Sequence, residues 1–305
     1  MKKIYLLLIL SIITLTSNAQ YRWELGGSFG AASYLGEMGG KELTGRKFIV
    51  DMQLARTRTT QGIYVRRKLN KSFMWRSAFS YARLSGADAL SLNPGRVGRN
   101  LSFRNNIFEL ETDFEWVFYK PKNIARWFGK RVDLQTYLFA GGAVYHHDPV
   151  TTYNGDKVKL RPLKTEGVAY KPWQVSIPMG IGAAYIIGKT LKVGLEVSYR
   201  KVFTDYIDDV STVYKDPNSF TDPTAKALAN RRGELDPTLS EDFAANASNY
   251  TVGSKRGNPN AGDDIFYLQA TVGYVLKGKN SFYKSKYRSI TGRRGMKKRR
   301  VRAKF

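Results

Sequence analysis

Ile107-Phe108-Glu109-Leu110-Glu111-Thr112-Asp113-Phe114-Glu115-Trp116-Val117-Phe118 alternates without a break. Glu109, Glu111, Asp113 and Glu115 fall on one face, and Phe108, Leu110, Thr112, Phe114, Trp116 and Phe118 on the other. A period of two is the signature of a strand. In a soluble sandwich the apolar face would meet a core and the carboxylates would meet water. Length argues for a different solvent: a transmembrane strand needs about 9–11 tilted residues and carries aromatics at the interface, as Trp116, Phe118 and Tyr119 do. The stretch therefore predicts a strand of an outer-membrane barrel, apolar outward and acidic inward.

Working outward, seven further strands are read, most of them with the same alternation. Trp23, Leu25, Phe29 and Leu35 oppose Arg22, Glu24, Gly26, Ser28, Gly30 and Ala32, with small and charged residues inward as a narrow barrel demands. A second strand spans Thr60 to Leu69, and a tight turn at Asn70-Lys71-Ser72 leads to a third. There Phe73, Trp75, Phe79 and Tyr81 face outward and Met74, Arg76, Ala78 and Ser80 inward. Ser85 to Arg104 reads as a long polar loop, and Pro121 to Arg131 as a basic turn. Leu134 to Tyr145 is a fifth strand whose facing its composition leaves open. His146 to Lys171 reads as another long loop. In the sixth strand Trp173, Val175, Ile177, Met179, Ile181 and Tyr185 face outward; in the seventh, Leu191, Val193, Leu195, Val197 and Tyr199 do. The longest loop, Asp205 to Gly262, is followed by an eighth strand from Ile265 to Leu276, with Phe266, Leu268, Val272, Tyr274 and Leu276 outward. Short and long connections alternate, as in outer-membrane barrels with short periplasmic turns and long external loops. An even count places both mature termini on the periplasmic side.

The expected organisation is a cleaved signal peptide at 1–19, an eight-stranded antiparallel outer-membrane β-barrel at 20–277 and a disordered basic periplasmic tail at 278–305. Lys2 and Lys3, the apolar run from Ile4 to Leu15 and the small residues of Ser17-Asn18-Ala19 carry the signal-peptide reading. A net charge of +25 ordinarily points to nucleic acid, but thirteen Lys and Arg and no acid lie between Lys277 and Phe305. Over half of the excess is thus in one tail, and a secretory signal argues against a nucleic-acid partner. The chain has no cysteine, which excludes disulfides, thiolate chemistry and Cys-held metals.

Inward acids in so narrow a barrel read as a plugged lumen rather than a catalytic pair. The expected charge network is Arg22, Glu24, Arg76, Glu109, Glu111, Asp113, Glu115, Lys192, Glu196 and Arg200, with Arg66 completing the bases, because buried acids persist only when paired. His146-His147-Asp148 holds both histidines of the chain. Neighbours on a strand point to opposite faces, so a solvated loop pair is expected there rather than a lipid-hydrolysing site. Asp205, Asp208 and Asp209 match no complete calcium loop and read as part of an acidic external loop. No catalytic, cofactor or metal site is expected. In the tail, Tyr283 and Tyr287 could anchor the bases Arg293, Arg294, Lys297, Lys298, Arg299, Arg300 and Arg302 on an acidic partner, with anionic lipid as the other candidate surface.

Trp23-Glu24-Leu25-Gly26, Ser33-Tyr34-Leu35-Gly36-Glu37, Asn100 through Leu110, Tyr199 through Ser211 and Arg256-Gly257-Asn258-Pro259 together resemble the PorG family of outer-membrane barrels of the type IX secretion system. The resemblance implies a structural role without catalytic residues: a barrel that ties the periplasmic ring of the PorK lipoprotein and PorN to the outer membrane, in protein secretion and in some bacteria gliding motility. The basic extension after Leu276 matches no motif of that family. An outer-membrane lipid-modifying hydrolase using His146 or His147, and a narrow diffusion channel, are the alternative functions.

Overall fold

Antiparallel ladders close eight strands into a barrel, in a computed structural model that describes residues 23–38, 56–91, 93–235, 250–259 and 262–276. The expected signal peptide, Arg22, and the whole tail with Tyr283, Tyr287, Arg293, Arg294, Lys297, Lys298, Arg299, Arg300 and Arg302 lie outside the described residues. The barrel strands are β1 (Trp23–Leu35), β2 (Arg58–Lys68), β3 (Phe73–Ala87), β4 (Ser102–Tyr119), β6 (Lys130–His146), β9 (Trp173–Ile187), β10 (Leu191–Val202) and β11 (Asp264–Val275). Neighbours in the ring follow that order, β4 pairs with β6, and β11 returns to β1 with Glu24 opposite Val275. Three shorter strands are accessory. β5 (Ala125–Trp127) pairs with the start of β6, and the hairpin of β7 (Val150–Tyr153) and β8 (Asp156–Lys159) joins β4 where Val150 meets Arg104.

The deciding stretch faces as its alternation requires. Leu110 and Phe114 are 63% and 62% exposed, whereas Asp113 and Glu115 are fully buried. Outward apolar residues form a belt around the barrel, including Phe29, Ile63, Phe79, Leu138, Val175, Ile181, Leu195 and Val272. On β4 the belt runs from Phe108 to Phe118, ten residue steps, which at about 3.3 Å per step and a tilt of about 40° is a height of about 25 Å, the thickness of a membrane barrel's apolar band. Phe114→Lys is accordingly expected to cost about 2–4 kcal/mol of barrel stability in lipid, read as the loss of heat-modifiable gel mobility. Thr112 shares that face but accepts hydrogen bonds from Trp75 Nε1 (2.9 Å) and Ser77 Oγ (3.2 Å).

On β6 the inward set is Gln135, Tyr137, Phe139, Ala143 and Tyr145, all buried. Aromatics inside obscure the alternation that composition would otherwise display. Gly182 on the adjoining β9 makes this possible: a Cβ there would lie 2.5 Å from the Tyr137 ring.

Near the loop end of the barrel the chemistry of the two faces is exchanged while the alternation continues. Above Tyr81 and Phe108, inward Ala82, Leu84, Leu101, Phe103 and Ile107 are buried and apolar, and outward positions carry Arg83, Arg104 and Asn106. This exchange corrects the loop expected over 85–104. β3 continues to Ala87 and β4 starts at Ser102, so only a short connection remains, built from a 3₁₀ turn (Asp88–Leu90) and helix α1 (Pro94–Arg99). Asn93 caps α1 by accepting from the Gly95 N–H (2.9 Å). The described part of the segment after β10 also folds, with helix α2 (Pro223–Ala229) capped by Asp222. Ile207, Val210 and Leu228 from that segment, Leu160 from the β8 side and Met38 after β1 pack with the apolar inner face of the upper barrel into one core. Leu35 and Phe266, expected against lipid, are buried at this level. The long connections thus form a cap whose hydrophobic centre is shared with the upper barrel.

Candidate functional site

Beneath the cap, the lumen is filled by charge held in register on facing strands. Pairing of β3 with β4 sets Arg76 opposite Asp113, and pairing of β1 with β2 sets Glu24 opposite Arg66. Arg66 donates to Glu24, to Glu115 (2.8 Å) and to Glu196 (3.0 Å). Arg76 donates to Asp113 (2.7 Å), Glu196 (2.6 Å) and Glu111 (3.2 Å). Arg200 donates to Glu109 and Glu111 at 2.8 Å each, and Lys192 Nζ lies 3.4 Å from Glu24. The structure therefore brings together every expected lumen residue that it describes, and Arg66 takes a central place.

Aromatic groups complete the filling. Tyr64 donates to Glu24 (3.0 Å) and Tyr137 to Glu196, while the Arg200 guanidinium sits 3.7 Å from the Tyr267 ring centre and that of Arg76 4.6 Å from Phe139. Such contacts satisfy desolvated guanidinium faces that carboxylates in the ring plane do not reach. Chemically the arrangement is a cross-brace. Arg66 and Arg76 each bind acids from more than one strand, Arg200 ties β10 to two acids of β4, and the charged side chains occupy the space a channel would need.

The cap contains a second polar cluster that sequence reasoning missed. Tyr34 donates toward both Asp208 (2.7 Å) and Asp263, whose other oxygens accept from the Val210 N–H (2.9 Å) and the Ile207 N–H (2.8 Å). Arg99 forms a two-pronged pair with Asp88 (2.7 and 2.8 Å) and donates to the Arg256 carbonyl (2.6 Å). Arg256 in turn donates to Glu166 and to the Asp209 carbonyl, both at 2.8 Å. Glu166 also accepts from Ser211 and Thr212 backbone N–H groups. Asp208 and Asp209, expected in a solvated acidic loop, are buried: Tyr34 and the Val210 N–H replace water at Asp208, and Thr165 Oγ1 (2.5 Å) and the Tyr170 hydroxyl (2.7 Å) donate to the Asp209 carboxylate. Asn105 Nδ2 donates to the Ile207 carbonyl (2.8 Å), so Tyr34, Asn105, Asp208, Asp209 and Arg256, from four segments far apart in sequence, meet at one place.

The histidines separate as strand geometry requires, but His147 is not solvated. It is fully buried between Tyr145 and Tyr170, with ring centres 5.7 and 5.8 Å away, while His146 lies against Trp173 at 5.1 Å. Burial pushes the His147 pKa down to about 4. Asp148 is engaged by Lys159 (2.9 Å) and Arg161 (3.0 Å). Among the described residues, no group of three or more His, Cys, Asp or Glu side chains is arranged to hold a metal ion.

The cap's acids make its stability depend on pH. Burial holds Asp208 and Asp263 well above the usual carboxylate range, and pushes Asp209 and Asp205 up to about 6. In the unfolded chain these groups titrate near 4. Between about pH 4 and 6 the folded cap binds more protons than the unfolded one, so these acids add stability as pH falls and withdraw it as pH rises. His147, depressed when folded, acts in the opposite sense over the same window as one group against four. Limited proteolysis within 203–263 is expected to be slower at pH 5 than at pH 7.5, with Asp209→Asn flattening part of the difference. Faster cleavage at pH 5 would reverse the assignment.

No curated protein matches the chain in sequence. Among solved structures, it is similar to Neisserial surface protein A (8% identity, 85% of this chain and 100% of that one, TM-score 0.38). It is also similar to the N-terminal β-barrel domain of Pseudomonas aeruginosa OprF (11% identity, 84% and 98% covered, TM-score 0.34) and to Ail, the attachment invasion locus protein of Yersinia pestis (11% identity, 83% and 98% covered, TM-score 0.32). A family model described as a domain of unknown function, DUF6089, matches residues 2–221. That match spans well over half the sequence, and the chain belongs to the DUF6089 family.

Proposed function

We propose that this protein is an integral outer-membrane barrel, both mature termini in the periplasm, that anchors and scaffolds the periplasmic PorK and PorN ring of the type IX protein secretion and gliding machinery. It has no catalytic role in this reading. The observation that carries the scaffold reading is the filled lumen: Arg66, Arg76, Lys192 and Arg200 are buried among six carboxylates, a braced interior suited to holding a shape. The type IX assignment rests on the sequence resemblance. In planar bilayers the purified barrel should show no steady conductance, and sustained channel openings would favour the diffusion-channel alternative. Nothing about the buried, aromatic-flanked His147 favours the hydrolase.

The deciding experiment is affinity recovery of the intact protein from solubilised outer membrane. Ring components should accompany it, and deletion of 278–305 should reduce their recovery at low salt most, because a run of bases attracts an acidic surface over a screening length of about 8–10 Å. Equal recovery by both forms at every salt concentration would move docking to the basic turn around Lys122, Arg126, Lys130 and Arg131. Absence of any secretion component would overturn the proposal.

A further inference from the structure

The exchange of face chemistry near the loop end fixes a level on the barrel wall. Immediately below it, Tyr81 and Phe108 stand outward as a cross-strand pair with ring centres 5.2 Å apart. Immediately above it, Arg83 lies opposite Asn106, and Ser85 opposite Arg104. The two arginines are therefore diagonal neighbours on the outer wall of β3 and β4, at about the 7–8 Å spacing of such positions. That spacing lets two flexible guanidinium groups reach one anion between them.

Arg83 is pre-oriented: its Nε points to Asn106 Oδ1 (3.4 Å) and its Nη2 to the Tyr81 hydroxyl (3.3 Å). Both contacts are long and go to neutral groups, so the charge is uncompensated. Arg104 is exposed, and among the described residues neither arginine has an acidic partner. The contrast with the lumen is informative, because there each arginine meets two or more carboxylates. Here two bases stand together, facing away from the protein, one strand step above an aromatic pair at the edge of the apolar belt. In a bilayer that step is headgroup depth, where phosphate is found.

We infer that Arg83 and Arg104, with Asn106 beside them and Tyr81 and Phe108 below, form a binding site for the phosphate of an anionic lipid in the leaflet at the loop end of the barrel. The inference rests on the membrane-barrel reading above. The guanidinium pair supplies paired N–H donors to phosphate oxygens, and the two rings supply the apolar seat for the first segments of the acyl chains. A bound lipid would pin the depth and rotation of the barrel in the membrane at β3 and β4, the strands on either side of α1.

The test uses the full chain in detergent micelles and measures retention of lipid A and of its dephosphorylated form by native mass spectrometry. A base near the lipid surface contributes roughly a fivefold effect, so the Arg83→Gln/Arg104→Gln variant should hold lipid A about thirtyfold more weakly than the parent. A Lys157→Gln/Lys226→Gln variant removes the same charge from exposed cap positions and should hold it unchanged. Dephosphorylated lipid A should be retained poorly by all three. Equal retention by parent and arginine variant, an equal loss in the lysine variant, or retention indifferent to phosphate would each overturn the site. So would complete displacement of lipid A by an equal concentration of inorganic phosphate, which would mark a site for a free anion. Both arginines are outside the core, and heat-modifiable mobility verifies that each variant folds. Flotation with phosphatidylcholine vesicles separates the two readings. A parent chain that fails to insert sinks the membrane reading, whereas one that inserts but shows no arginine-dependent retention sinks this inference alone.

Discussion

Arg66→Met should destabilise the barrel by about 3–5 kcal/mol, the cost of leaving a buried ion pair without its partner. Arg66 is 1% exposed and joins Glu24 on β1, Glu115 on β4 and Glu196 on β10, so its removal takes a base from three carboxylates at once and leaves Glu115 with only a 3.7 Å contact to Arg76. Methionine keeps much of the volume, which isolates the electrostatic effect from a cavity effect. The readout is urea-induced unfolding in detergent, followed by heat-modifiable mobility. Adding Glu115→Leu should recover part of the loss, because one fewer acid is left unpaired. A single variant within about 1 kcal/mol of the parent would show that neighbouring bases or water compensate Arg66, and that the cross-brace contributes little to stability.

Arg256→Ala should open the cap and leave the barrel intact. Its guanidinium holds the Glu166 carboxylate, the Asp209 carbonyl and the Ala229 carbonyl, three segments that have no ladder to join them. Loss of about 3 kcal/mol of local stability raises the open population by about a hundredfold, and proteolytic cleavage within 203–263 should accelerate in proportion. Heat-modifiable mobility should stay that of the parent, since Arg256 lies among loop residues and not on a barrel strand. Joint melting of cap and barrel in the variant would mean that they form one cooperative unit.

The membrane-level strands were legible because lipid outside and charge inside impose opposite chemistry on alternate residues, most clearly from Phe108 to Phe118. The facing of β6 was not, because Tyr137, Phe139 and Tyr145 fill the lumen with residues that elsewhere mark the lipid side. The upper turns of β3 and β4 were lost for a related reason. Once Arg83 and Arg104 face outward and Leu84 and Phe103 inward, the membrane pattern breaks, and a strand reads as a polar loop. Lumen pairing was partly legible, since inward acids require bases and the inward faces supplied them. The cap was not, because its pairs are fixed by tertiary contact: Asp88 with Arg99 across α1, Glu166 with Arg256 across 90 residues, Tyr34 with Asp263 across 229. Nothing local in the sequence separates those acids from solvated ones.

The cap's composition also bears on the order of assembly. Tyr34 leaves the top of β1 and Asp263 precedes β11, so their hydrogen bond requires the first and last strands of the chain to be neighbours already. Contacts between the ends of a chain form late, because the intervening loop must be closed before they contribute. An inserted sheet that has not zipped β1 to β11 would leave Asp208 and Asp263 without their shared hydroxyl and the centre around Ile207 and Leu228 without its wall. The cap is then a built-in clock for biogenesis. Its acquisition of protease resistance should trail membrane insertion and coincide with seam closure, so a nascent barrel stalled open would be recognisable to periplasmic or surface proteases by its soft lid alone.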